Sequence, residues 1–175
     1  MKLREDELRV PAPDCEIRSV LISPVGGGGA RAGVLLYTDI FQLTESTLRT
    51  ARRLASAGFV VCVPEIYPRG ELAGVALEFD DAGKLAGQAA AEGTTVEQFD
   101  ADRAVVLDLL DQRADVDELF AVGFCIGGHL AFRAALDPVS RRRCASTRPG
   151  CTMARWAPTR TPDHSPAPAT SGTGW

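Results

Sequence analysis

Histidine is scarce in this chain, and metal-ligand spacing is missing altogether. The two histidines, His129 and His164, lie far apart, and the five cysteines (Cys15, Cys62, Cys125, Cys144 and Cys151) form no C-x-x-C pair. An odd, scattered set of this kind argues against a disulfide framework and against a zinc site, so free thiols with no metal and no cofactor are expected. No apolar run approaches the roughly 20 residues that span a bilayer. The first ten residues are charged throughout and do not carry the pattern of a secretion signal. These absences lead to the expectation of a cytoplasmic protein with no membrane partner. Basic excess is missing too: the formal net charge is -4, which leaves no broad cationic surface for nucleic acid.

What is present is enough for one core. A chain of 175 residues with 45% hydrophobic content can bury a single sizeable domain. Charge divides it unevenly, because residues 1–139 carry a net charge of -9 whereas residues 140–175 carry +5, from six arginines and the single Asp163. The second stretch also contains no Leu, Ile, Val, Phe, Tyr, Lys, Glu, Asn or Gln. Without hydrophobic periodicity it can add neither strand nor helix to a core, so residues 139–175 are expected to be disordered and the folded part to end near residue 138.

Before that boundary, strand-like and helix-like runs alternate, which points to an α/β sheet domain with flanking helices. Short strands are predicted at 8–10 and 15–23, broken by Pro11 and Pro13, with a flexible glycine turn at 26–29. The run 33–38 is continuously apolar, as in a central parallel strand buried on both faces. A helix is predicted over 45–57, capped by Thr44 and ended by Gly58, with Leu48, Ala51, Leu54 and Ala55 on one face. The next buried strand is 59–63, closed by Pro64, and 67–70 reads as a loop. Two more helices are predicted at about 80–92 and 96–112, the second with an acidic face expected to be simply solvated.

The segment from Leu119 to Ala135 carries the chemistry. A buried strand-like run turns abruptly into an Ala-rich helix, with Cys125 at the corner and Gly123, Gly127 and Gly128 around it. This G-x-C-x-G spacing is that of a nucleophile elbow: a nucleophile held in a strained strand-to-helix turn crowds the positions two residues to either side, and glycine removes the bulk. The thiol then sits beside the unpaired N–H groups of a helix N-terminus, where negative charge is favoured. Plain packing of a buried cysteine also makes such turns, and the flanking strand and helix favour the functional reading.

Three blocks together, Tyr37-Thr-Asp-Ile-Phe-Gln-Leu43, Gly58-Phe-Val-Val-Cys-Val-Pro-Glu-Ile-Tyr-Pro-Arg69 and Gly123-Phe-Cys-Ile-Gly-Gly128, resemble the dienelactone hydrolase family of the α/β-hydrolase superfamily over roughly residues 5–138. The resemblance implies a cytosolic, metal-free hydrolase of small lactones and related esters, built on a mostly parallel sheet, with a Cys, Asp and His triad in that chain order. It implies Cys125 as nucleophile and the backbone N–H groups of Ile40 and Ile126 as the oxyanion hole. Asp39 stands at an acidic loop position implied to interact with the thiol, often glutamate in such proteins and here one methylene shorter; an Asp capping a tight loop is the equal alternative. Glu65 and Tyr67 fit an ordinary strand-exit pattern and receive no role.

No residue matches the triad Asp or His. His129 lies four residues into the elbow helix and points away from the turn, which suits packing or surface, and His164 falls in the tail. The tail itself has the composition of a GC-rich gene read out of frame. Back-translating residues 143–160 with codons chosen at the free positions and reading two bases later can give Leu-Arg-Phe-Tyr-Pro-Ala-Gly, where the family resemblance implies a strand. A frameshift near residues 138–141, replacing the true C-terminal part, is therefore expected, with a genuine disordered tail as the alternative. Two other readings stay open: a catalytically dead fragment with a reactive thiol, and an amidotransferase-like cysteine hydrolase with a similar elbow. With later strands missing, the strand before the elbow is expected to form an uncovered edge prone to self-association.

Overall fold

The computed structural model describes residues 1–26 and 31–137. Most of the 26–29 turn, the expected disorder of 139–175, Cys144, Cys151 and His164 lie outside the described residues. The elements in chain order are β1 (Leu3–Pro11), β2 (Glu16–Pro24), β3 (Arg31–Tyr37), α1 (Glu45–Ser56), β4 (Val60–Pro64), a 3-10 turn at Gly70–Leu72, α2 (Asp81–Gly93), α3 (Val96–Asp111), β5 (Val116–Gly123) and α4 (Ile126–Ala135). The five strands form one sheet in the order β1-β2-β4-β3-β5. Pairing is parallel across β4, β3 and β5 and antiparallel at β1/β2 and β2/β4. The parallel half, which carries the elbow, is the α/β-hydrolase-type part of a mixed sheet.

Both faces of the central strands are covered, which explains their unbroken apolar runs. Val34 and Leu36 of β3, with Val61 and Val63 of β4, pack against Ala51 and Ala55 of α1. Leu35, Tyr37, Val60 and Cys62 point the other way, toward Val106, Leu107 and Leu110 of α3 and Leu130 and Ala134 of α4. Each fully buried aliphatic side chain here contributes about 1.5–3 kcal/mol. Helix α1 starts as expected, with the Thr44 side chain accepting the Thr47 N–H, and Gly58 leaves it at a φ of 106°. Helix α3 opens on a reciprocal capping box between Thr95 and Gln98.

Two expectations are corrected. The first strand is not confined to 8–10. It begins at Leu3 and pairs residue by residue with β2, from Leu3 opposite Pro24 to Pro11 opposite Glu16. Its charged side chains sit on an exposed edge, so hairpin register and not hydrophobic content sets its length. The acidic face of α3 is also not simply solvated: Asp102 is 8% exposed and accepts two hydrogen bonds from Arg69, while Asp100 pairs with Arg133 and Arg103.

At the other side of the sheet, β5 pairs with β3 alone among the described residues. Its Leu119 joins the core under α4, whereas Phe120 and Val122, on the opposite face, are exposed, as is Phe124 beyond them. An apolar edge strand of this kind is a pairing template. The purified chain is therefore expected to self-associate, and the Phe120→Ser/Val122→Lys double variant to shift it toward soluble monomer. Sedimentation velocity on both proteins checks this; a monodisperse wild-type monomer with a cooperative thermal transition would contradict it.

Candidate active site

β5 ends at Gly123 and α4 begins at Ile126, so two residues make the corner. Cys125 takes φ 55° and ψ -123°, a conformation that costs a non-glycine residue about 1–3 kcal/mol. Tight backbone bonds hold it there: Gly127 N–H donates to Phe124 O at 2.8 Å and Gly128 N–H to Cys125 O at 3.0 Å. The glycine spacing has the steric cause expected of it at two positions. A Cβ at residue 123 would lie 1.9 Å from Gly127 O, and one at residue 127 would lie 2.3 Å from Thr38 O. Gly128 differs, since a Cβ there would meet its nearest neighbour, Gly123 O, at an ordinary 3.6 Å. Two of the three elbow glycines are sterically required.

The three described thiols are in contrasting places. Cys125 is exposed at the corner. Cys62 is buried in the core, and burial pushes its ionisation up to about 12. Cys15 is half-buried, and burial together with the nearby Asp102 charge raises its ionisation as well. Of the three, Cys125 is the exposed one.

The loop after β3 lies against the elbow, because Gly127 approaches the Thr38 and Tyr37 carbonyls so closely. Ile40 and the first-turn N–H of Ile126 belong to these two adjoining segments, and first-turn N–H groups have no acceptor within their own helix. Asp39 takes the loop-capping geometry: its Oδ1 accepts the Phe41 N–H at 2.9 Å. Among the described residues no hydrogen bond joins Asp39 to Cys125. Helix α2 backs onto this loop through Gly87, where a Cβ would come within 2.5 Å of Ile40 O. His129 is exposed on α4, as the sequence suggested.

Four residues without an expected role, Gln42, Glu65, Tyr67 and Arg69, surround the site. Gln42, fully buried at a φ of 67°, accepts the Tyr67 N–H at 3.1 Å and donates to Leu72 O and Val75 O at 2.7 and 2.9 Å. It ties the Ile40 loop to the chain leaving β4. Glu65 is buried and brackets that exit, accepting the backbone N–H of Arg18 at 2.9 Å and of Gly74 at 2.6 Å. Tyr67 is 2% exposed, and its hydroxyl has no hydrogen-bond partner among the described residues. Burial pushes the phenol up to about 12, with the charges of Cys125 and Asp39 adding to the effect. Arg69 fixes the next stretch, bonded twice to Asp14 and twice to Asp102. The partners of Gln42, Glu65 and Arg69 lie mostly 25 or more residues away in sequence, so local pattern does not mark these residues.

Comparison with known proteins follows the same residues. The sequence profile of the Dienelactone hydrolase family matches residues 17–145. A Saccharomyces cerevisiae protein provisionally named a carboxymethylenebutenolidase is 37% identical over 135 residues, covering 74% of this chain and 48% of the yeast protein. A Synechocystis protein with the same name is 24% identical over 151 residues, covering 85% of this chain and 60% of its own. The chain thus spans about half the length of the curated relatives it matches. A Klebsiella pneumoniae crystal structure provisionally named a dienelactone hydrolase superposes with a TM-score of 0.67 at 22% identity, covering 79% of this chain and 57% of that one. These matches decide against the amidotransferase-like alternative.

The elbow sterics predict a sharp contrast among neighbouring glycines. Gly123→Ala and Gly127→Ala are each expected to lower stability by about 2 kcal/mol or more through backbone overlap. Gly128→Ala should be neutral, or stabilising by up to about 1 kcal/mol as a helical Gly-to-Ala change. Urea unfolding of the three variants measures the difference.

Proposed function

The chain belongs to the dienelactone hydrolase family, and from that premise we propose that it carries the nucleophile-bearing part of a carboxylic ester hydrolase acting on small lactones and esters. Residues 1–138 are read as the N-terminal part of that hydrolase domain, while the family match itself runs on to residue 145. Cys125 is the nucleophile. The observation that carries this reading is an exposed cysteine in strained backbone at a helix N-terminus, with Gly127 bringing the turn against Tyr37 and Thr38 at the end of β3.

In this reading the Cys125 thiolate attacks the carbonyl carbon, and the sulfur–carbon bond forms as the carbonyl π electrons move to oxygen. The N–H groups of Ile40 and Ile126 receive that oxyanion. Its collapse expels the alkoxide and leaves a thioester on Cys125, which water must then cleave with a base. No metal or cofactor is needed at any step. Asp39 serves chiefly as the cap that shapes the oxyanion loop. A thiol nucleophile suits a reducing, cytoplasmic setting; no helix among the described residues is long and apolar enough to cross a membrane.

The base is the missing part. His129, exposed on α4, does not serve, and no residue of the chain matches the triad Asp or His. A second reading, a catalytically impaired fragment with a reactive thiol, follows from this and from the half-length match to relatives. Losing members of a catalytic unit lowers turnover by about 10⁴- to 10⁶-fold. Steady-state lactone and aryl-ester hydrolysis by the 175-residue chain is thus expected near background, while limiting iodoacetamide labels Cys125 faster than Cys15 or Cys62 in mass mapping. Robust turnover abolished in Cys125→Ala would sink the impairment; faster labelling of Cys15 or Cys62 would sink Cys125 as the nucleophile. Sequencing the coding region through residues 138–141 tests the frameshift origin of the tail.

A further inference from the structure

Gln42 holds a backbone conformation that its residue type does not favour. At a φ of 67° it lies in the left-handed region, which glycine enters freely and a long side chain enters when its surroundings fix it there. Here the side chain itself supplies the fixing. It is fully buried, and its amide meets partners that admit a single orientation: the Leu72 and Val75 carbonyls can only accept, at 2.7 and 2.9 Å, and the Tyr67 N–H can only donate, at 3.1 Å. Both amide N–H groups thus bind main-chain carbonyls 30 and 33 residues further along the chain.

The turn that Gln42 closes contains Ile40. Gln42 N–H donates to Asp39 O at 3.2 Å, and Phe41 N–H donates to Asp39 Oδ1 at 2.9 Å. Of the three N–H groups that follow Asp39, that of Ile40 is the one with no acceptor among the described residues. The brace also runs in the reverse direction, since Leu77 N–H donates to Phe41 O at 2.9 Å.

We propose that Gln42 is a positioning residue: its amide sets the 39–42 turn on the 67–75 segment so that the Ile40 N–H stands where the oxyanion forms. This rests on the reading of Cys125 as nucleophile and Ile40 as an oxyanion donor. Gln42 touches no reacting atom. A reaction of Cys125 that builds charge on a carbonyl oxygen therefore depends on it, and one that does not is indifferent to it.

Acylation and alkylation of Cys125 separate the two cases. With p-nitrophenyl acetate the sulfur bonds to the carbonyl carbon, an oxyanion forms and collapses, and nitrophenolate leaves with the bonding pair, giving an acetyl thioester. With iodoacetamide the sulfur displaces iodide from a saturated carbon and no oxyanion forms. Both reactions draw on the same thiolate, so the ratio of their rates at Cys125, read by mass mapping, cancels its population.

Gln42→Gly removes the amide and relaxes the backbone. Gln42→Asn keeps a residue that tolerates the left-handed region, but its amide is one methylene shorter and withdraws from Leu72 O and Val75 O. In both variants the acylation-to-alkylation ratio is expected to fall about 10- to 100-fold, the scale of a donor displaced by ~1 Å or lost, with circular dichroism unchanged. An unchanged ratio in either folded variant overturns this proposal alone. Loss of the fold in both overturns it as well, because Gln42 would then hold the domain and not the turn. Wild-type acetylation that is undetectable, or that persists in Cys125→Ala, overturns the nucleophile reading and the proposal with it.

Discussion

The site depends on a backbone-to-backbone contact with no side chain in between. At Gly127 the first turn of α4 runs against the carbonyls of Thr38 and Tyr37, so close that a single Cβ would lie 2.3 Å from oxygen. That contact fixes where the elbow stands relative to the end of β3, and hence relative to the Ile40 loop that continues from it. The position of Cys125 is thus set by the sheet more than by its own side chain. The strained dihedral angles at Cys125 are tolerable because β5 and α4, both packed on the same core, leave the corner no freedom to relax.

Around this contact, long-range polar bonds do what hydrophobic packing does elsewhere. Gln42 bridges two loops through three hydrogen bonds, Glu65 anchors two backbone N–H groups, and Arg69 joins the turn before β2 to α3 through Asp14 and Asp102. Loops carry too little apolar surface to order themselves, so their shape comes from buried donors and acceptors satisfying one another. The Arg69–Asp102 pair is mostly shielded from solvent, with side-chain exposures of 20% and 12%. Removing Arg69 would leave Asp102 a part-buried charge without this partner, whereas removing Asp102 would leave Arg69 still paired with Asp14.

Much of this was readable from residue order alone. The central strands were visible because both faces are covered, which makes 33–38 and 59–63 unbroken apolar runs; the helix over 45–57 was visible because Thr44 and Gly58 punctuate it. The elbow was visible because its steric rule is local, spanning five residues. β1 was read too short because an exposed charged strand takes its length from its partner, Glu16–Pro24. Gln42, Glu65 and Tyr67 were missed for a related reason: what matters about them is a partner 25 to 47 residues away, or the want of one. The acidic residues of α3 looked like a solvated stripe until Arg69 reached Asp102 from another segment.

The two borders of the sheet are unlike. β1 borders it with the charged residues Arg4, Glu5, Asp6, Glu7 and Arg9, which disfavour pairing with a further strand, while among the described residues β5 borders it with Phe120 and Val122. Among the described residues the sheet thus has one adhesive border and one guarded border. Were two copies to join through β5, each would occupy the other's apolar side and β1 would stand at both ends of the joined sheet. Pairing of that kind would close at two copies and would not propagate into a fibre. The charged hairpin at the start of the chain, far from any chemistry, would then be what keeps such an assembly finite.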